Sequence, residues 1–365
     1  MTSDAREPAA ARPNVEHVRP TDHAWLDDTH GVLSCAAGDQ HTSTRGVVCP
    51  YYLHIDLLNV LPLPKGAPSD PWPTLTWQGG QYTKISRVAS PPQWPAVLRA
   101  LDPRHGLVPL AWSLFTALDL TPGTRLIDPR DALRSVLSAG ASSAALEVLH
   151  ALAVGLGDPG NHTGVLGLTG SAALDPSRLP GALTGEHDID LMLYPGALAQ
   201  RAVDVPEALR SVGAVFPAEL SDDDARAQRY RRSRMMPATT SPASAAVFWR
   251  RRTDLAWIGD LRLDLTTGGV YQRAEALPYA AEPVGEKTVE VTVAAVGEGY
   301  PVRLQVEHPL IEEVAVTARG YQTVFRPGDR LTVTGLWHRT RQDTAYLSVD
   351  DCAGHQLTLH REGAP

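Results

Sequence analysis

Lysine is almost missing from this chain: three stand against thirty arginines, 33 basic residues in all. Cysteine is as scarce, with three in 365 residues (Cys35, Cys49, Cys352) and no Cys-x-x-Cys spacing. That argues against a disulfide framework and a cysteine-based zinc site, and it makes a reducing cytoplasm the expected compartment. No apolar run approaches the roughly 18 residues of a membrane-spanning helix, so no membrane partner is expected. The opening residues, MTSDAREPAAARPNVEHVRP, lack the apolar stretch of a secretory leader. Rich in Ala, Pro, Arg and Glu, they read as the start of a disordered tail over 1–24. No repeat of solenoid type is visible, and the net charge of −8 excludes a generic nucleic-acid binder.

What is there suits a globular protein of two or three domains: 43% of residues are hydrophobic and 20% charged. Residues 25–130 read as a β-rich segment with helices. GVVCPYYLHIDLL and GQYTKISRV are strand-like, whereas LPLPKGAPSDPWPTLTW is too proline-rich for a central strand. PPQWPAVLRALDP and LVPLAWSLFTALDL read as helical. So does DPRDALRSVLSAGASSAALEVLHALAVGLG, with Asp131 as a possible N-cap and Leu133, Val136, Leu137, Leu146, Leu149 and Leu152 at roughly helical spacing. Residues 131–285 form the expected core. In it HTGVLGLTG and DIDLMLYPG are strands, 171–187 is loop or short helix, and PGALAQRAVDVPEALRSVG and SDDDARAQRYRRSRM are helices. AWIGDLRLDLTTGG reads as one more strand, with Asp260, Arg262 and Asp264 on one face. From 286 to 365 alternation is continuous, which predicts a small β barrel or sandwich and an α+β class for the whole.

The chemistry concentrates in LTGSAALDPSRLPGALTGEHDIDLMLY, Leu168 to Tyr194. Two carboxylates at i and i+2 of a strand project from the same face. Burying two like charges side by side is costly, so a cation is expected beside Asp188 and Asp190. Divalent ions such as Mg2+ or Mn2+ suit oxygen ligands of this kind. A Gly-Ser turn at the end of the preceding strand, Gly170-Ser171, offers backbone N–H groups and a hydroxyl to phosphate oxygens.

TGSAALD followed by HDIDLMLY resembles the signature of the DNA polymerase β-type nucleotidyltransferase superfamily. The phrasing is most similar to a group of predicted nucleotidyltransferases of archaea and some bacteria, in which a β-rich segment with a G-x-Y-x-K phrase precedes the core; GGQYTKI is similar to that phrase. The resemblance implies a mixed sheet core with flanking helices. It implies that Gly170 and Ser171 hold a nucleoside triphosphate, and that Asp188, Asp190 and a third carboxylate, best matched by Asp264 over Asp260, bind two magnesium ions and carry catalysis. The gap from Ser171 to Asp188 is several residues longer than usual, and His187 stands where serine is common.

Between Arg226 and Arg252 lie eight arginines (226, 229, 231, 232, 234, 250, 251, 252) and no acidic residue. This cluster is either a solvated helix face or a contact for triphosphate or nucleic acid, with Arg229 and Arg232 the candidates for the triphosphate. His162 and His187 flank the motif as weaker acid–base candidates. The expected activity is transfer of a nucleoside monophosphate to an acceptor hydroxyl, on an RNA end, a protein side chain or a small molecule. The alternative is a non-catalytic module that keeps the fold and binds nucleic acid or a partner.

Overall fold

The computed structural model describes residues 20–38, 41, 44–59, 61, 74–89, 94–101, 106–109, 116–139, 144–157, 164–179, 188–194, 205–221, 223–225, 240–267, 283–297, 302–316, 321–339, 345–349 and 355–361. Residues 1–19 of the expected tail lie outside them, but Asp22, His23 and Ala24 are buried, so the folded chain begins before Trp25.

The first unit is an eight-stranded antiparallel sheet. Its strands are β1 (Trp25–Asp27), β2 (Val32–Ala36), β3 (Arg45–His54), β4 (Leu75–Trp77), β5 (Gly80–Lys84), β6 (Leu107–Pro109), β7 (Thr116–Asp119) and β8 (Arg125–Ile127). The order is β4-β5-β3-β2-β1-β8. The ten-residue β3 is long enough to pair with β2 on one edge and with both β5 and β7 on the other. Helices α1 (Ile85–Val88) and α2 (Trp94–Leu101) pack Ile85, Val88, Val97, Leu98 and Leu101 into its core with Val47, Val48 and Leu53. LVPLAWSLFTALDL is therefore not a helix: its described parts are β6 and β7, and β7 pairs with Arg45–Val48. The tertiary ladder overrides a helix-like apolar spacing.

The second unit begins with α3 (Pro129–Ser138) and α4 (Ala144–Gly155). The cap of α3 is Asp128 rather than Asp131: its carboxylate accepts from the backbone N–H of Arg130 at 2.8 Å, and Pro129 takes the first helical position. Asp131 sits inside the first turn and pairs with Arg134. Then follow β9 (Leu166–Leu168), α5 (Gly170–Leu174), β10 (Asp188–Leu193), α6 (Val205–Ser211), α7 (Pro242–Arg251), β11 (Leu255–Ile258) and β12 (Leu261–Thr267). The sheet order is β11-β12-β10-β9, mixed, with β10 and β12 parallel. Ile189, Leu191 and Leu193 of β10 join Leu263 and Leu265 of β12 in a core with Leu133, Leu149, Leu152 and Leu209 of the helices. AWIGDLRLDLTTGG is a hairpin, not one strand. Gly259 and Asp260 form a two-residue turn, with Gly259 at φ +60, and Ile258 pairs with Leu261.

The third unit is a closed five-stranded barrel in which β13 (Pro283–Val296), β14 (Val302–Glu307), β15 (Glu313–Val316), β17 (Ala345–Val349) and β16 (Arg330–Arg339) pair in that ring order. The ring closes by the β13–β16 ladder and contains one parallel pair, β15 with β17; β18 (Gln356–Arg361) extends it from β16. It starts three residues before the expected boundary at 286. Helix α7 completes its core, with Phe248 fully buried among Val291, Leu304, Tyr321 and Phe325. Arg251 reaches Asp329 with two hydrogen bonds, at 2.7 and 3.1 Å, and both side chains are almost wholly buried.

Candidate active site

Residues of opposite parity on β10 and β12 turn away from the hydrophobic core. In the parallel register Asp190 lies directly opposite Asp264, and Asp188 opposite Arg262. One oxygen from each of Asp188, Asp190 and Asp264 can be chosen so that all three lie within 4.8 Å of one another, and each residue is half-buried. Like charges placed across a ladder repel. Part of the compensation is in the chain: the Arg262 guanidinium donates to Asp188 and, at 3.3 Å, to Asp264. Arg262 shares the face of Asp264 at i−2, a spacing visible in the sequence, but its partner Asp188 is 74 positions away. Asp260 lies in the exposed hairpin turn, which leaves Asp264 as the third carboxylate of the cluster.

The Gly-Ser turn is brought to the same place. The backbone N–H of Thr169 donates to the Asp190 carbonyl at 2.9 Å, which sets the end of β9 beside β10. Gly170 then takes φ +65, and a Cβ built on it would stand 1.9 Å from Asp190 Oδ2 and 2.6 Å from its Cγ. Only glycine suits this point, both for its backbone angle and because the Asp190 carboxylate fills the space of a side chain. Gly170 and Ser171 are half-buried at the start of the five-residue α5.

The first sheet forms the facing wall. Leu174 and Ala173 of α5 pack with Trp25, Leu33, Tyr52, Leu75 and Tyr82. Thr169 Oγ1 donates to the His23 carbonyl at 3.1 Å, and Arg178 donates to the carbonyl of Thr74. The Tyr52 phenol is pushed well above its ordinary range, first by burial and then by the charges of Tyr51, Asp190 and Asp188, against the opposing pull of Arg178. The cluster therefore sits at a seam between two sheets. Nothing local in the sequence announces this, because the contacts link segments more than 90 residues apart.

The three carboxylates suit a divalent cation by donor chemistry and by spacing, because hard cations take oxygen ligands. They are the residues that would hold one, with Arg262 as the cation already pairing with two of them. Of the other candidates, Arg229, Arg232, His162 and His187 lie outside the described residues, as do Arg226, Arg231 and Arg234. The described end of the arginine run is not a solvated face throughout. Arg251 is committed to Asp329, and Arg252 to Asp254 at 2.8–2.9 Å; both are buried, and only Arg250 is exposed. Expectation of a nucleic-acid contact across Arg226–Arg252 is corrected for these two, because buried guanidiniums paired in the fold cannot meet a ligand.

No helix of the described residues is long and apolar enough to cross a membrane. Comparison of the chain with protein-family models, curated proteins and solved structures finds no match.

Proposed function

We propose that the protein is a metal-dependent nucleotidyltransferase that moves a nucleoside monophosphate from a nucleoside triphosphate to an acceptor hydroxyl. The observation that carries this reading is the convergence of three carboxylates from two parallel strands with a glycine turn pressed against one of them. In the reaction the acceptor oxygen forms a bond to the α-phosphorus, the bond to the β-phosphate oxygen breaks, and pyrophosphate leaves. Mg2+ or Mn2+ held by Asp188, Asp190 and Asp264 would stabilise charge on the phosphates and lower the pKa of the acceptor hydroxyl. The Gly170-Ser171 turn offers a hydroxyl and backbone N–H groups to the phosphate tail. The Asp190 carboxylate is packed against Gly170, and Tyr52 on the facing sheet is buried.

A binding-only module is the second reading, and Arg262 favours it: a guanidinium pairing with two of the carboxylates is itself a way to offset their charge. Thermal-shift titration with ATP, CTP, GTP and UTP, with and without Mg2+, separates the two. The enzyme reading expects a metal-dependent shift that Asp190→Asn abolishes, while Asp190→Asn without metal melts at or above the wild-type temperature, because one of the facing like charges is gone. A shift with oligonucleotides alone, insensitive to Mg2+ and to Asp190→Asn, refutes the enzyme.

A further inference from the structure

The first sheet carries a cation on the strand that pairs with Tyr52, the residue that meets α5. Lys84 ends β5 directly opposite Tyr52 of β3. Its ammonium lies 5.4 Å from the centre of the Tyr51 ring and 6.0 Å from that of Tyr52. Both are within the about 6 Å over which an aromatic face attracts a cation.

Neighbouring residues on a regular strand point to opposite faces. Tyr51 and Tyr52 do not. Trp25 meets both rings, with centroids at 5.7 and 5.6 Å, and the two tyrosines meet each other at 5.1 Å. The cause is a break in register: Leu33 pairs with Tyr52 and Ser34 with Pro50, which leaves Tyr51 as an extra residue on β3. Such a bulge bends the strand and re-aims a side chain. Here it sets a second ring beside Lys84. Tyr52 also packs with Leu174, four residues after Gly170, and feels the charges of Asp190 and Asp188.

Among the described residues no carboxylate pairs with Lys84, and its ammonium stands over the two rings. It is also one of only three lysines in the chain. The difference from arginine matters at this point. A guanidinium would spread flat on the rings and keep a fixed fork of donors, whereas an ammonium is a compact charge on a flexible stem that serves a phosphate from many directions.

We propose that Lys84, carried on the Tyr51–Tyr52 ledge, is the far wall of the phosphate site and binds the β- and γ-phosphates of the nucleoside triphosphate. This rests on the nucleotidyltransferase reading and adds that the first sheet is a working part of the site. The ligand it selects is a polyphosphate tail, so nucleoside triphosphates are taken in preference to monophosphates whatever the base.

Calorimetric titration in the presence of Mg2+ tests this, with inorganic tripolyphosphate, ATP, CTP, GTP, UTP and AMP as probes. The proteins are the full chain, Lys84→Gln, Lys84→Arg and Asp190→Asn. Lys84→Gln is expected to weaken tripolyphosphate and triphosphate binding about 10- to 100-fold, the loss of one charge-assisted contact. AMP binding stays as in the wild type, the melting temperature falls only slightly with the loss of the ring contacts, and Lys84→Arg recovers part of the loss. Triphosphate binding that Asp190→Asn abolishes but Lys84→Gln leaves unchanged overturns the role of Lys84 and leaves the enzyme reading standing. An equal loss for AMP overturns the assignment to the phosphate tail. If the wild type binds no tripolyphosphate or triphosphate with Mg2+, the enzyme reading falls and the role of Lys84 falls with it.

Discussion

Replacing Gly170 by alanine applies two separable stresses. The backbone there has φ +65, a conformation that costs an L-residue with a Cβ about 1–2 kcal/mol. The new Cβ would also stand 1.9 Å from Asp190 Oδ2, 2.6 Å from its Cγ and 2.8 Å from its Cβ. No rotation of the carboxylate relieves the last contact, so the strand end or α5 must shift. Overpacking of that kind costs about 1–3 kcal/mol more. Gly79 supplies the control. It has φ +81 in the β4–β5 turn and open space around its Cβ position, so Gly79→Ala meets only the backbone term. Urea denaturation of the two variants should therefore differ by about 1–3 kcal/mol, with Gly170→Ala the less stable. Gly170→Ala should also lose Mg2+-dependent triphosphate binding, because Asp190 is displaced, whereas Gly79→Ala keeps it. Equal stabilities for the two variants would refute the close approach of Gly170 to Asp190 and, with it, the reason for glycine in the motif.

Two further outcomes follow from neighbouring geometry. Arg262→Gln removes a cation from among three half-buried carboxylates, so it should lower the melting temperature in chelator and regain much of the loss on addition of Mg2+ or Mn2+; a variant indifferent to divalent ions contradicts the cluster as a cation site. Asp128 is held below the ordinary carboxylate range: burial alone would raise it, but hydrogen bonds from the side chain and backbone of Arg130 and from Thr21 prevail. Its contribution is thus fully present above the unfolded value near 3.9 and is lost as pH falls through the lower folded value. Asp128→Asn should flatten the acid limb of a stability–pH curve below about pH 4, and an unchanged limb contradicts this role.

The aspartates were legible because a strand has a period of two: Ile189, Leu191 and Leu193 had to face a core, which turned Asp188 and Asp190 the other way. The alternating text after 286 announced a small barrel or sandwich for the same reason, and the β13–β16 ladder makes it a barrel. Where the reading failed, a partner distant in sequence decided the outcome. Thr116–Asp119 is strand because Arg45–Val48 lies beside it, and no local spacing carries that information. The hairpin at Gly259-Asp260 was readable, since a glycine-led dipeptide between apolar arms is a turn signal, but a four-residue arm is short enough to be absorbed into a longer strand. The arginine run misled through composition: Arg251 looks like its neighbours until Asp329, 78 residues on, is placed against it. Lys84 stands in the GGQYTKI phrase, but nothing local marked Tyr52 or the seam at which it meets α5.

The buried Arg251–Asp329 pair has a bearing on how this architecture can be inherited. Phe248 fills the barrel interior, and Ser244 Oγ accepts the backbone N–H of Leu359 at 2.8 Å, so α7 is as much a barrel element as a core one. Shuffling that moved the strands from Pro283 onward without α7 would leave the buried Asp329 carboxylate without the Arg251 guanidinium, a loss of about 3–5 kcal/mol in a small domain. The portable segment therefore starts upstream of the strands, near Thr240. Helix α7 also feeds directly into β11 and β12, where Asp264 sits. A barrel exchanged between proteins would carry one edge of the acidic cluster with it, and the two have reason to diverge together.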